Sequence, residues 1–256
     1  MGFFFEISSF VLGAVVGSFL NVLIHRLPEE KSIVFPASHC PKCQHAIRFY
    51  DNIPLISYLF LKGRCRDCGG SISLRYPLVE GLTAILSLLI YWKFGPSAQY
   101  LCVFVFVCSL IVITFIDLDH QIIPHLLTLS GIPVFAVLAV LFMGLTAIDA
   151  FLGVMIGAGI LYFVAVYYEA LTGREGMGGG DVNLLAMLGA FLGWKSLLFV
   201  LLVSSLLGAV VGLAFILFKG KDMKYAVPFG PFLCIAAVVY LFFGGDLIAL
   251  FLSPRI

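Results

Sequence analysis

The chain of 256 residues is 62% apolar and only 11% charged, with a mean hydropathy of +1.12. A soluble domain carries about 45–50% apolar and about 25% charged residues, so the main solvent of this chain must be lipid. A formal net charge of +1 excludes a nucleic-acid binder that works by neutralising phosphates.

The pattern predicts an all-α polytopic membrane protein. A bilayer span needs about 20 mainly apolar residues, fewer where neighbours shelter it. Eight runs qualify, at 8–27, 75–93, 98–116, 126–145, 148–170, 182–194, 196–218 and 228–252. The sixth is the shortest, and the first carries Asn21 near its end. Pro96 and Ser97 separate runs two and three, and Gly144, Thr146 and Asp149 separate four and five. The 26 glycines suit helices whose backbones approach closely in lipid.

Charge sets the orientation. With eight spans, the loops at 28–74, 117–125, 171–181 and 219–227 share one side. That side holds Arg26, Lys31, Lys42, Arg48, Lys62, Arg64, Arg66, Arg75, Arg174, Lys219, Lys221 and Lys224, against Lys93, Lys195 and Arg255 opposite. The rich side is therefore expected to be cytoplasmic, with both termini outside. The first run has no basic residues before it (Glu6 is its first charge) and no small-residue cleavage pattern, so it reads as an anchor, not a signal peptide.

Between the first two spans, residues 28–74 form the one long polar stretch. It contains Cys40-Pro41-Lys42-Cys43 and Cys65-Arg66-Asp67-Cys68, with 21 residues between the pairs. Each pair forms a tight knuckle that aims two sulfurs at one ion, and four thiolates suit tetrahedral zinc. Two disulfides are the alternative, but they belong to an oxidising compartment, and topology puts this loop in the reducing one. A domain this small has too little apolar area to fold alone, and a metal supplies the missing stabilisation. A closed four-cysteine site leaves no position for water, so the zinc is expected to be structural. His39 and His45 flank the first knuckle as outer or solvent-facing groups. Cys102, Cys108 and Cys234 fall inside spans and read as core residues.

The chemistry is expected at carboxylates near hydrocarbon, which are costly and usually functional. Asp117 and Asp119 end the third span, in Ile116-Asp117-Leu118-Asp119-His120-Gln121-Ile122-Ile123-Pro124. Asp181 opens the sixth, after Gly176-Met177-Gly178-Gly179-Gly180. Topology brings both ends to one face. Two close carboxylates cannot both ionise easily, so one keeps its proton. One then activates water while the other protonates a carbonyl oxygen or leaving amine, as in an aspartic-type hydrolase. An Asp at a helix start is also a common N-cap, and Asp181 fits that role too. The glycines argue for more: such an entry is costly unless the backbone turns sharply or approaches another chain closely. An exposed strand at Gly178, Gly179 and Gly180 would pair with an extended substrate. Asp149 and Asp246 read as interface anchors, and Glu80 as a partner of Arg75 or of the cysteine domain.

These segments together resemble the type IV prepilin peptidases, the bifunctional leader peptidases and N-methyltransferases of pilus and type II secretion systems. The likeness begins at Gly17-Ser18-Phe19-Leu20-Asn21 and runs through both cysteine pairs, with Asp51-Asn52-Ile53-Pro54 between them and Arg75-Tyr76-Pro77-Leu78-Val79-Glu80 after. It continues through Asp117, the GxGD signature Gly178-Gly179-Gly180-Asp181, and Pro228-Phe229-Gly230-Pro231-Phe232. The resemblance implies an aspartyl protease whose catalytic pair is Asp117 and Asp181, with Asp119 as the alternative first member. It implies a prepilin or pseudopilin substrate with a short basic leader and a hydrophobic helix, cut after a Gly and then N-methylated from S-adenosylmethionine. The implied division is a first transmembrane helix over 1–27, a cytoplasmic zinc domain associated with methyl transfer over 28–74, and a seven-helix peptidase domain over 75–256. Gly63 and Arg64 are candidates for the methyl-donor site, although no glycine-rich donor motif is visible. Pilus or type II secretion machinery is an implied partner, and a bacterial inner membrane the implied location. Two positions depart from the family pattern: Asn183 stands where Lys is common, and His125 where Asp or Asn is usual. Two other classes compete with this reading: a carboxylate-lined transporter, and a non-enzymatic assembly factor that docks through its zinc domain.

Overall fold

All eight apolar runs fold as helices in the computed structural model, which describes residues 2–173, 176, 178–219 and 228–252. Arg174, Met177, Lys221, Lys224 and Arg255, and the side chains of Lys219 and Asp246, lie outside the described residues. Among the described residues no strand forms beyond two isolated bridges in the cysteine loop. The long helices are α1 (Gly2–Arg26), α3 (Arg75–Phe94), α4 (Ala98–His120), α5 (His125–Phe142), α6 (Ala147–Thr172), α7 (Gly179–Leu192), α8 (Trp194–Lys219) and α9 (Gly230–Leu252). A five-residue helix, α2 (Ile56–Phe60), and a 3-10 turn, Phe49–Asn52, interrupt the cysteine loop. Among the described residues six helices are long and apolar enough to cross a membrane, while Gly179–Leu192 and the Gly230–Gly244 part of α9 are shorter apolar stretches.

The breaks between helices follow local chemistry. Gly95, at φ 64, ends α3 in a conformation that a side chain would resist. Thr146 caps α6: its hydroxyl accepts from Asp149 N at 3.0 Å and donates to Asp149 Oδ2 at 2.7 Å. Trp194 Nε1 donates to Asp149 Oδ1 at 3.0 Å, so Asp149 links the starts of α6 and α8 as well as anchoring a helix end.

The chain divides into two compact units, Met1–Val112 and Ile113–Ile256. In the first, α1 and α3 run antiparallel along a seam of small residues. A Cβ at Gly13 would stand 2.7 Å from Ala84 Cα, and one at Gly17 would stand 2.8 Å from Glu80 Cα. Asn21 Nδ2 donates to Tyr76 O at 3.2 Å further along, and Ser87 Oγ donates to Ser9 O at 2.7 Å at the other end. Gly13 and Gly17 thus form a small-xxx-small face, which replaces the hydrophobic effect with close van der Waals packing.

The second unit is built around α7. Every residue from Leu184 to Phe191 is buried. Its seam with α6 repeats the device: a Cβ at Gly153 would land on the Gly189 carbonyl, and one at Gly157 would stand 2.6 Å from Leu185 O. On its α5 side, Phe135 packs edge-on against Phe191, and Gly131 makes room for Met187. Burial on all sides fixes α7, and with it the residue that opens it.

Candidate active site and metal centre

The cysteine loop folds as two knuckles with the same hydrogen bonds. Cys40 N donates to His45 O at 2.9 Å and Gln44 N to Cys40 O at 2.8 Å. Cys65 N donates to Gly70 O at 2.8 Å and Gly69 N to Cys65 O at 2.9 Å. The Sγ atoms of Cys40, Cys43, Cys65 and Cys68 all lie within 4.8 Å of one another, and all four are free thiols. A Zn–S bond of about 2.3 Å in a tetrahedron places sulfurs about 3.8 Å apart, so the cluster fits zinc. The Cys40–Cys68 separation of 3.9 Å is close to that edge. Peptide N–H groups of Cys43 and then Lys42 draw the Cys40 thiol down to about 6. Cys43 goes the other way, to about 12: the His45 N–H lowers it, but desolvation and the adjoining thiols raise it more. His39 turns Nδ1 to Ala37 O at 3.1 Å, and His45 lies 3.9 Å from Asp67 Oδ2, so neither joins the cluster.

A forked ion pair braces the second knuckle. Arg66, between Cys65 and Cys68, donates to both oxygens of Asp51, at 2.6 Å from NH2 to Oδ1 and 2.9 Å from Nε to Oδ2. These bonds hold the Asp51 carboxyl below the usual carboxylate range. Glu80 does reach the cysteine domain: its Oε2 accepts from Leu55 N at 2.8 Å. Arg26, at the end of α1, donates to Ser32 O at 2.9 Å and to Pro36 O at 2.7 Å. Gly63 sits at φ +67, and a Cβ there would stand 2.8 Å from the Tyr58 hydroxyl. Arg64 is exposed and pairs by a bridge with Ser71.

Three helix ends build the carboxylate site in the second unit. Asp117 lies in the last turn of α4 and is only 5% exposed. Its Oδ2 accepts a buried hydrogen bond from Gly230 N, the first residue of α9, at 3.1 Å. Asp181 is the third residue of α7 and lies within coulombic range of Asp117. Asp181 Oδ1 is shielded from solvent and has no hydrogen-bond partner. The starts of α7 and α9 carry partial positive charge, which favours carboxylates there. Buried Cys234, one turn into α9, is in range of both acids, and Ile123 fills the corner between Gly180 and Gly230. Asp119, by contrast, is exposed.

The glycine run differs from the expected strand. Only Gly178 is extended, at φ −72 and ψ 141, whereas Gly179 and Gly180 already belong to α7. Close approach explains Gly180: a Cβ there would stand 2.8 Å from Ile123 Cβ, whereas one at Gly179 would meet nothing within 4 Å. Gly178 is the N-cap, so Asp181 is not. His125 and Asn183 meet: Asn183 Nδ2 and His125 Nδ1 hydrogen-bond at 3.2 Å, joining the starts of α5 and α7. Gly230 has a site role that reading side chains alone did not reveal. Its signal in the sequence was the family-like segment Pro228-Phe229-Gly230-Pro231-Phe232 at the head of an apolar run.

Residues 11–94 match the family profile described as the bacterial peptidase A24 N-terminal domain, and residues 104–213 match that of the type IV leader peptidase family. A protein of Aeromonas salmonicida is 40% identical over 273 aligned residues, covering 95% of this chain and 92% of its own. One of Pseudomonas aeruginosa is 38% identical, with 97% and 94% covered. One of Myxococcus xanthus is 46% identical, with 85% of this chain and 65% of its own covered. Each of the three is named a prepilin leader peptidase/N-methyltransferase. No solved structure matches the chain.

Proposed function

The chain belongs to the type IV leader peptidase family, and from that membership we propose how its residues carry out leader cleavage and methylation of prepilins. It is a membrane enzyme, and the peptide bond is cut by water between Asp117 and Asp181. Asp117, whose Oδ2 already accepts a peptide N–H, takes a proton from the water as the oxygen attacks the scissile carbonyl. Asp181 holds the proton that its buried, partnerless Oδ1 region can pass to the carbonyl oxygen. The tetrahedral intermediate then collapses: the C–N bond breaks, the leaving amine takes the proton held by Asp117, and the former carbonyl oxygen returns its proton to Asp181 as the C=O re-forms. The convergence of two acids 64 residues apart (181 − 117) supports this reading most.

Gly178, Gly179 and Gly180 shape the approach to Asp181. The zinc of Cys40, Cys43, Cys65 and Cys68 is structural, since four sulfurs complete its shell. Methyl transfer belongs to residues 28–74 and cleavage to 75–256. S-adenosylmethionine is the proposed donor and supplies the electrophilic methyl group, with Gly63 and Arg64 as candidates to hold it. The cysteine loop and the acids face the cytoplasm across a bacterial inner membrane, where a basic leader would stay in water while its hydrophobic helix stays in lipid. Pilus or type II secretion machinery would receive the product.

The test uses purified protein in lipid with a prepilin and S-adenosylmethionine. Asp117→Asn and Asp181→Asn should each abolish cleavage while the protein remains folded, and the wild-type product should gain the mass of one methyl group. Normal cleavage by either variant would remove that acid from the mechanism.

A further inference from the structure

We propose that residues 49–60, the 3-10 turn and α2, lie in the phospholipid headgroup–acyl boundary, so that the zinc domain rests on the membrane through an inserted apolar edge. The proposal rests on α1 and α3 as membrane helices, independently of the peptidase reading. Three observations carry it.

The first is exposure. Phe49 is 87% exposed, Leu59 74% and Phe60 84%, and Ile53 and Ile56 are each about half exposed. Val34, Phe35 and Leu74 of the same domain are exposed too, but residues 49–60 carry five such groups in twelve residues, and apolar groups gathered in this way mark an interaction surface.

The second is depth. Leu55 immediately precedes α2, and its N–H is bound by Glu80 Oε2 at 2.8 Å. Its Cδ2 stands 3.7 Å from the place a Cβ would take on Gly81. Glu80 is the sixth residue of α3 and packs on Gly17, nine residues before the end of α1. At about 1.5 Å per residue, Leu55 is drawn roughly 7–13 Å inside the ends of both helices. Interfacial helices bury their apolar face about 5–10 Å into the headgroup boundary, the depth this segment reaches where the ends of α1 and α3 mark the membrane surface. Phe19, Tyr76, Leu78 and Leu82 of the two spans are exposed near the same level, as expected of lipid-facing positions.

The third is charge. Exposed Lys62 and Arg64 follow the apolar segment, whereas Arg48 before it is tied to the Tyr50 hydroxyl at 2.8 Å and to Asp67 Oδ1 at 3.6 Å. Basic groups beside an inserted apolar edge are placed to meet lipid phosphates.

Photo-crosslinking distinguishes lipid from other occupants. The full chain, with Phe60 or Leu59 replaced by p-benzoylphenylalanine, is reconstituted in vesicles of phosphatidylethanolamine and phosphatidylglycerol and irradiated. A third variant carries the probe at exposed His45, on the first knuckle. A circular-dichroism spectrum and a gel-filtration volume in detergent equal to those of the unsubstituted protein confirm that each variant is folded. The expected result is a gain of one phospholipid mass on the peptide carrying residue 60 or 59, with none at 45. Failure to gain lipid at both 59 and 60, equal labelling at 45, or crosslinks only to added prepilin or to a second copy of the chain would each overturn the proposal.

Discussion

Gly230 has no room for a side chain: a Cβ there would stand 2.6 Å from Asp117 Oδ2 and 3.1 Å from Ile123 Cδ1. A methyl group must therefore push the carboxylate away from the peptide N–H that orients it. Misplacing a catalytic group by about 1 Å costs on the order of 100-fold in rate. Gly230→Ala is expected to lower kcat for leader cleavage by about that factor with KM little changed, measured with prepilin in proteoliposomes. The Asp51–Arg66 pair makes a second residue-scale prediction. Asp51→Ala frees Arg66 between two zinc ligands, and loss of such an outer support costs about 10-fold in metal affinity. Competition with a chromophoric chelator measures this. Because Arg66 lowers the folded carboxyl below its ordinary value of 3.8, the tie is fully present above that pH and is lost as pH falls through the lower folded value. The difference between variant and wild type should therefore stay constant from pH 6 to pH 8. At this scale the sequence revealed acids and thiols, because such groups stand out in an apolar chain. It hid the Gly230 donor, because a backbone N–H has no side-chain signature.

At the scale of elements, the paired glycines of α1 and α6 are the same solution used twice. Gly13 and Gly17 bring α1 onto α3, and Gly153 and Gly157 bring α6 onto α7. In lipid this seam has no hydrophobic drive, so any added volume acts directly on packing. Gly157→Val is expected to destabilise the protein by about 1–3 kcal/mol through overpacking against Leu185 O. A lower midpoint of thermal unfolding in detergent, with cleavage reduced, checks it, because α7 carries Asp181. The glycine count pointed to close helix packing, but only the fold shows which glycines pair and which partner each faces. The long helices were equally legible from hydropathy. The turn Phe49–Asn52 and α2 were not, since four and five residues are too short to show a period. The strand expected at Gly178, Gly179 and Gly180 stops at Gly178: Gly179 and Gly180 join the first turn of α7, where Gly180 packs against Ile123.

For the whole molecule, composition alone placed the chain in lipid, and spacing alone grouped the four cysteines. What it could not supply was the meeting of α4, α7 and α9, a tertiary fact that no local pattern records. One dimension of that assembly has a consequence for how hydrolysis proceeds in oil. At 14 residues, α7 is about 21 Å long, against a hydrocarbon layer of about 30 Å. It is sheathed by protein along its buried stretch, so the bilayer need not pinch to match it. A helix about 9 Å short of the layer cannot reach both of its faces. If the shortfall lies at the end that Asp181 opens, a transmembrane precursor need travel that much less far out of the lipid to be cut.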